Sequence, residues 1–134
     1  MHLQLWIAPR IVRIMLPAFC LAVCLVVGLA ATAGAGEASI EAVSAIRKGD
    51  GWRFDVTVRH ADAGWDHYAD KWQVVAPDGT VLGERILLHP HDDEQPFTRS
   101  QDGIVLPGDI DHVLVRAHDS VHGWGAGAPF VLPR

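Results

Sequence analysis

The chain has 134 residues, of which 49% are hydrophobic, and its formal net charge is −5 at pH 7. This length suits one domain and not two. The acidic balance argues against nucleic acid or an anionic membrane surface as the main partner.

The first 35 residues have the layout of a secretory signal peptide. A short segment with Arg10 and Arg13 precedes an almost wholly apolar run at residues 14–31, and small residues follow it. This order predicts cleavage near Gly36 and a periplasmic or secreted protein. The alternative is an uncleaved N-terminal anchor facing the periplasm, because about eighteen apolar residues approach the length that spans a bilayer.

Removal of this segment would change both the charge and the cysteine content. Residues 36–134 carry nine Lys and Arg against sixteen Asp and Glu, a net charge of −7. Both cysteines, Cys20 and Cys24, lie in the apolar run, so the exported domain would depend on its core without disulfides. The run is a poor lipoprotein signal, because Val23 precedes Cys24 and apolar residues continue after it.

The remaining residues show the alternation that is typical of strands, with no helical period. The clearest case is Trp52, Phe54, Val56 and Val58, which alternate with polar residues as in a half-buried antiparallel strand. Predicted strands cover residues 40–47, 52–59, 70–76, 80–88, 97–105, 111–118 and 128–132. We therefore predict that residues 36–134 form one all-β domain, a seven-stranded antiparallel β-sandwich of the immunoglobulin-like type. A small barrel is the alternative.

The loops of such a sandwich alternate between its two ends, and the histidines concentrate at one end. The turns at the other end are short and rich in Gly, Pro and Asp. The three longer loops cover residues 61–69, 89–96 and 119–127. Six histidines lie in these loops or beside them: His60, His67, His89, His91, His118 and His122. Long loops presented together by a rigid scaffold are the usual place for a functional site.

These six histidines are candidate metal ligands. Pro90 favours an extended backbone between His89 and His91, which places both imidazoles on the same side of the chain. The neighbouring loop offers His118 with Asp119 beside it. Imidazole and carboxylate suit Zn²⁺ or Cu(II), and the lack of Cys and Met after residue 35 argues against Cu(I). We predict a binding module for a divalent transition metal, with His89, His91 and His118 converging within about 5 Å.

A recognition module without metal is the second hypothesis. Trp65, Tyr68 and Trp124 lie in the same loops, and Asp93 adds a carboxylate. Aromatic rings with flanking carboxylates suit a periplasmic protein or a glycan as partner. The alternative for each aromatic ring is that it packs inward and closes the core. The alternative for each histidine is that it hydrogen-bonds the backbone of its loop. An enzyme is the least favoured reading, because no nucleophile elbow, HExxH motif or phosphate loop is present.

Three segments carry a resemblance to known sequences. They are His89-Pro90-His91, residues 94–100 (EQPFTRS) and residues 116–123 (RAHDSVHG). Together they resemble a group of small exported bacterial proteins that have no assigned activity. The resemblance covers most of residues 36–134 and implies a proteobacterial, periplasmic protein. It carries over no catalytic residue.

Overall fold

The computed structural model describes residues 36–134, so the predicted signal peptide at residues 1–35 lies outside it. The described part of the chain is all-β. Its strands are β1 (Ser39–Lys48), β2 (Gly51–Arg59), β3 (Ala69–Val75), β4 (Val81–Ile86), β5 (Phe97–Ile104), β6 (His112–Asp119), β7 (Gly123–Trp124) and β8 (Ala128–Val131). No helix within it is long and apolar enough to cross a lipid bilayer.

Two antiparallel sheets pack face to face, which confirms the predicted sandwich. One sheet has the order β1-β2-β5, and the other has the order β4-β3-β6, with β7 and β8 both paired to β6. The fourth strand therefore pairs with the third, whereas in a constant-type immunoglobulin domain it joins the first sheet. Seven strands match the prediction, and the two-residue β7 is an addition within the loop expected at residues 119–127.

The core lies between the sheets and consists of the inward residues of each strand. Because side chains alternate across a strand, every second residue of β2 and β6 is buried. The largest fully buried apolar side chains are Trp72, Phe54, Phe97, Val56, Val58, Val74, Val113 and Val115. The inward position predicted for Trp52 is confirmed, and Trp72 of β3 also lies in this core.

Hydrogen bonds tie the three long loops together at one end of the sandwich. Backbone N–H of Ser120 donates to the carbonyl of Tyr68 at 3.0 Å, which joins the loop after β6 to the loop after β2. Backbone N–H of Gly64 donates to Asp92 Oδ1 at 3.0 Å, which joins the loop after β2 to the loop after β4. The loops that carry the predicted site residues therefore meet, as the alternation of strands requires.

Candidate metal centre

The inward faces of β2 and β6 both end on a polar residue. On β2 the buried series Val56, Val58 continues to His60, which is 3% exposed. On β6 the buried series Val115 continues through Ala117 to Asp119, which is 0% exposed. These strands belong to different sheets, so a histidine and a carboxylate close the core from its two sides.

His67, from the loop between β2 and β3, completes a group of three. His60 Nε2 lies 3.3 Å from His67 Nε2, and His67 Nε2 lies 3.0 Å from Asp119 Oδ1. One ligand atom of each residue lies within 4.8 Å of the others, and residues 36–134 contain no other group of three His, Cys, Asp or Glu side chains that meets this condition. The arrangement offers two imidazole nitrogens and a carboxylate, a donor set found in zinc sites.

Asp62 holds the ring of His60 from the opposite edge. Its Oδ1 lies 2.5 Å from His60 Nδ1 and accepts a hydrogen bond from backbone N–H of Ala69 at 3.0 Å. Its Oδ2 accepts one from backbone N–H of His91 at 2.7 Å. The Asp62 side chain is fully buried. This partner keeps the proton of neutral His60 on Nδ1 and directs the lone pair of Nε2 towards His67, as in carboxylate–histidine–zinc arrangements.

Asp119 combines a well-bonded oxygen with one that has no partner. Oδ1 accepts hydrogen bonds from backbone N–H of Val121 at 2.9 Å and of His122 at 2.7 Å. Burial alone would raise the pKa of Asp119, but these two bonds and His67 together lower it below its usual value. Asp119 is therefore ionised at neutral pH. Within residues 36–134 its Oδ2 is buried without a hydrogen-bond partner, a state that proteins rarely leave uncompensated.

Of the other predicted ligands, His122 lies beside this group and His118 lies away from it. His122 Nδ1 is 3.2 Å from Asp119 Oδ1, and its side chain is 40% exposed. His118 bonds Asp70 through Nδ1 at 2.6 Å and packs edge-on against Trp124. It alternates with buried Ala117 and Asp119, so it points out of the sheet.

The His-Pro-His pair has a different environment from the one that its spacing suggested. The rings of His89 and His91 are neighbours, with centroids 4.6 Å apart, but His91 is 3% exposed and stacks on Phe97 at 3.8 Å. Burial, the nearby positive charge of Arg99 and His89 lower the pKa of His91. Because His91 turns onto β5 and His118 faces outward from the other sheet, the structure does not gather His89, His91 and His118 into one ligand set.

The aromatic candidates fall into two separate places. Trp65 is 66% exposed and meets Tyr68 edge-on, with ring centroids 5.5 Å apart. Trp124 is half-buried on the outer face of the second sheet, with the guanidinium of Arg116 4.3 Å from its ring centroid. Asp93 is exposed in the loop after β4. Only Trp65 and Tyr68 form a pair.

Two carboxylates of the centre were not among the candidate ligands. The sequence prediction includes Asp119 only as a neighbour of His118, and it does not include Asp62. The signal for Asp119 was present, because period two extends the apolar series Val113, Val115 and Ala117 onto it. The same period places Asp62 on the side of the chain that carries His60.

Comparison with known proteins finds a relative among curated sequences. No known protein family matches the chain, and no solved structure matches it. The relative is described as "Putative lipoprotein" and comes from Halomicrobium mukohataei. It is 49% identical over 78 residues, which cover 58% of this chain and 38% of the relative. The chain thus spans well under half of that protein. The relative is archaeal, so it does not support the proteobacterial origin that the resemblance implied.

Proposed function

We propose that this chain is an exported metal-binding module in which His60, His67 and Asp119 hold one divalent transition metal ion. The observation that carries the proposal is the convergence of His60 Nε2 and Asp119 Oδ1 on the same nitrogen of His67, at 3.3 and 3.0 Å. Without metal, one proton on His67 Nε2 serves both contacts. A cation at this point would displace that proton and accept all three lone pairs.

The separations are compatible with both Zn²⁺ and Cu(II). Metal–nitrogen bonds of roughly 2.0–2.1 Å place neighbouring ligands about 3.3 Å apart in a tetrahedron. The same bonds place them only about 2.9 Å apart in a square plane, the geometry that Cu(II) prefers. The observed 3.3 Å between His60 Nε2 and His67 Nε2 equals the tetrahedral separation, whereas the observed 3.0 Å between His67 Nε2 and Asp119 Oδ1 is nearer to the square-planar one.

Three protein ligands leave a fourth position in a tetrahedral site. His122 lies next to the group, through its 3.2 Å contact with Asp119 Oδ1, and is our candidate for this position. Bound Zn²⁺ would supply an electrostatic link between the two sheets, since His60 and Asp119 follow strands of different sheets. A site this buried serves binding and stability better than turnover.

Calorimetric titration of the purified full chain, stripped with a chelator and titrated at pH 7.5, tests the ligand set. We expect one Zn²⁺ per chain at micromolar affinity or tighter, and loss of binding in the His60→Ala and His67→Ala variants. His112→Ala is the matched control, because His112 is exposed and bonds only Asp111.

Two results would overturn the proposal. The first is an absence of stoichiometric binding in the wild-type chain. The second is binding that disappears in a His89→Ala/His91→Ala variant and persists in His67→Ala, which would move the metal to the His-Pro-His segment.

Export is supported by the apolar run at residues 14–31 and by the name of the Halomicrobium mukohataei relative. Mass spectrometry of the chain purified from a bacterial host shows whether the N-terminal segment is cleaved, retained or lipidated. A mature chain that begins near Gly36 would establish cleavage. A retained N-terminus would instead indicate an anchor, and a lipid on Cys24 would show that the poor lipoprotein signal is used.

Recognition of a protein or glycan by the Trp65–Tyr68 pair is the second candidate, and the 66% exposure of Trp65 favours it. Exposed tryptophan is a frequent anchor in interfaces. A Trp65→Ala variant should keep the stability of the wild type, because little of the ring is buried. Loss of a carbohydrate or protein ligand in this variant, with zinc binding unchanged, would establish a separate recognition surface.

A further inference from the structure

A second polar site lies where β4 runs into the His-Pro-His segment. A cavity of about 80 Å³ opens there, and its polar lining consists of Arg85, His89, His91 and Arg99. None of these residues belongs to the candidate metal centre. The volume is that of two or three water molecules at roughly 30 Å³ each. It is far below the 300–1,000 Å³ that a whole drug-sized ligand occupies.

Among the lining residues, Arg99 and His89 have hydrogen-bond partners, but atoms of Arg85 and His91 have none within residues 36–134. Arg85 Nε is buried without one, and no carboxylate of residues 36–134 lies within 4.0 Å of the Arg85 guanidinium. In the same part of the chain, neither ring nitrogen of the buried His91 has a hydrogen-bond partner. Buried donors are normally satisfied, so the Nε–H of Arg85 and the one N–H of neutral His91, both on residues that line this cavity, indicate a missing acceptor.

The charge of the lining decides which kind of ion it suits. Two guanidinium groups border the cavity, and the only carboxylate of residues 36–134 that is bonded to either is the exposed Glu94, which meets Arg99 at 3.0 Å. A divalent cation held by His89 and His91 would face both arginines at close range. An anion would instead gain charge-assisted hydrogen bonds from them. This local positive charge occurs in a domain whose net charge is negative.

We propose that the cavity between Arg85, His91 and Arg99 binds one small oxyanion group of phosphate or sulfate size. The guanidinium groups supply fixed donors, and His91 adds one N–H in its neutral form. The group is either a free inorganic ion or the terminal phosphate of a larger molecule that extends through the open mouth of the cavity. Both sources share the same recognition chemistry.

Titration of the ¹⁵N-labelled full chain with sodium phosphate, at constant ionic strength held with NaCl, provides the test. We expect a saturable shift of the Arg85 Nε–H resonance, with a dissociation constant in the millimolar range or tighter. Arg85→Gln should weaken phosphate binding roughly tenfold or more, since it removes a charge-assisted donor. Arg85→Lys keeps the charge without the Nε–H and should retain part of the affinity.

The controls separate this site from general charge effects and from the metal centre. Arg47→Gln makes the same charge change on β1, where Arg47 packs over Trp52, and should bind phosphate as the wild type does. His67→Ala removes a proposed metal ligand and should also leave phosphate binding unchanged. Equal weakening in Arg85→Gln and Arg47→Gln, or shifts that do not saturate, would overturn the proposal.

Glycerol phosphate, titrated in parallel, identifies the source of the group. Affinity equal to that of inorganic phosphate supports a site for the free ion. Tighter binding of the ester supports a site for the phosphate of a larger ligand. A failure of both probes to bind would again overturn the proposal, whatever the outcome of the zinc titration.

Discussion

Nδ1 of His60 lies 2.5 Å from Oδ1 of Asp62, on the ring edge opposite the nitrogen that faces His67. The other oxygen of Asp62 accepts the backbone N–H of His91. Asp62 therefore orients a proposed metal ligand and at the same time fixes the start of the His-Pro-His loop. This single buried carboxylate thus contacts one proposed metal ligand, His60, and one residue of the proposed oxyanion site, His91.

Replacement of Asp62 tests its role as a positioning residue for the metal. Asp62→Asn keeps the size of the side chain but removes the carboxylate that holds the ring of His60 through Nδ1. We expect the affinity for Zn²⁺ to fall about 10- to 100-fold, the usual effect of losing such a partner. Competition with a chromophoric chelator measures the change. Asp66→Asn, an exposed carboxylate of the same loop, is the control, and equal affinities in the two variants would contradict the role.

The lowered pKa of Asp119 predicts how the metal-free chain responds to acid. Hydrogen bonds from the backbone and His67 outweigh burial and favour the ionised form in the folded state. The unfolded chain therefore takes up a proton at a higher pH, near 3.9, than the folded chain does. The stabilisation is complete above that value and is lost as the pH falls through the lower folded pKa.

Urea denaturation between pH 6 and pH 3, with chelator present, measures this effect. Asp119→Asn should be less stable than the wild type at pH 6 and should lose less of its unfolding free energy on acidification. Asp93→Asn changes an exposed carboxylate and should follow the wild-type curve. A variant curve parallel to that of the wild type would show that Asp119 does not carry the acid dependence.

The lowered pKa of His91 predicts a second dependence of folding stability on pH, in a different pH range. Burial, Arg99 and His89 lower its pKa, against the opposing charges of Asp62 and Glu94. The unfolded histidine takes up its proton near pH 6.5, before the folded one does. The stabilisation is therefore complete above about pH 6.5 and is lost as the pH falls through the folded pKa.

A His91→Phe variant removes this titration and keeps the stack on Phe97. We expect its unfolding free energy to vary less between pH 7 and pH 5 than that of the wild type. His112→Asn, at an exposed histidine, should leave the wild-type slope in place. A slope that His91→Phe does not change would mean that other histidines control stability in this range.

The strands of this protein were predictable because their signal is local. Alternation in residues 52–59 fixes which side chains face the core, and the turn residues mark where each strand ends. The extra strand β7 has only two residues, too few to show any period. Its pairing with β6 depends on contacts that the local sequence does not reveal.

The site was predictable only in part because it depends on which strands lie opposite each other. His60 and His67 are among the candidate ligands. The sequence favours His89 and His91 more strongly, because their spacing is visible locally and the packing of β2 opposite β6 is not. The rings of His89 and His91 do lie side by side, but His91 is stacked on Phe97 and the pair does not meet His118. Asp119 becomes a candidate ligand only once the packing of the two sheets brings it next to His67 and His60.

Zinc should raise the thermal stability of the chain if the proposed ligands bind it. An ion that binds only the folded state stabilises it by about 2.7 kcal/mol at a free concentration of 100 times Kd. For a domain of about a hundred residues this corresponds to a rise in Tm of roughly 10 °C. Scanning calorimetry with Zn²⁺, then with excess chelator, should show the rise and its reversal.

Two variants decide whether this stabilisation comes from the group that joins the sheets. His67→Ala removes a ligand from the loop between β2 and β3, so its Tm should not respond to Zn²⁺. His122→Ala removes only the neighbouring histidine and should keep a smaller response, because three ligands remain. A full response in His67→Ala would place the stabilising ion elsewhere on the chain. It would also remove the argument that the metal connects the end of β2 to the end of β6.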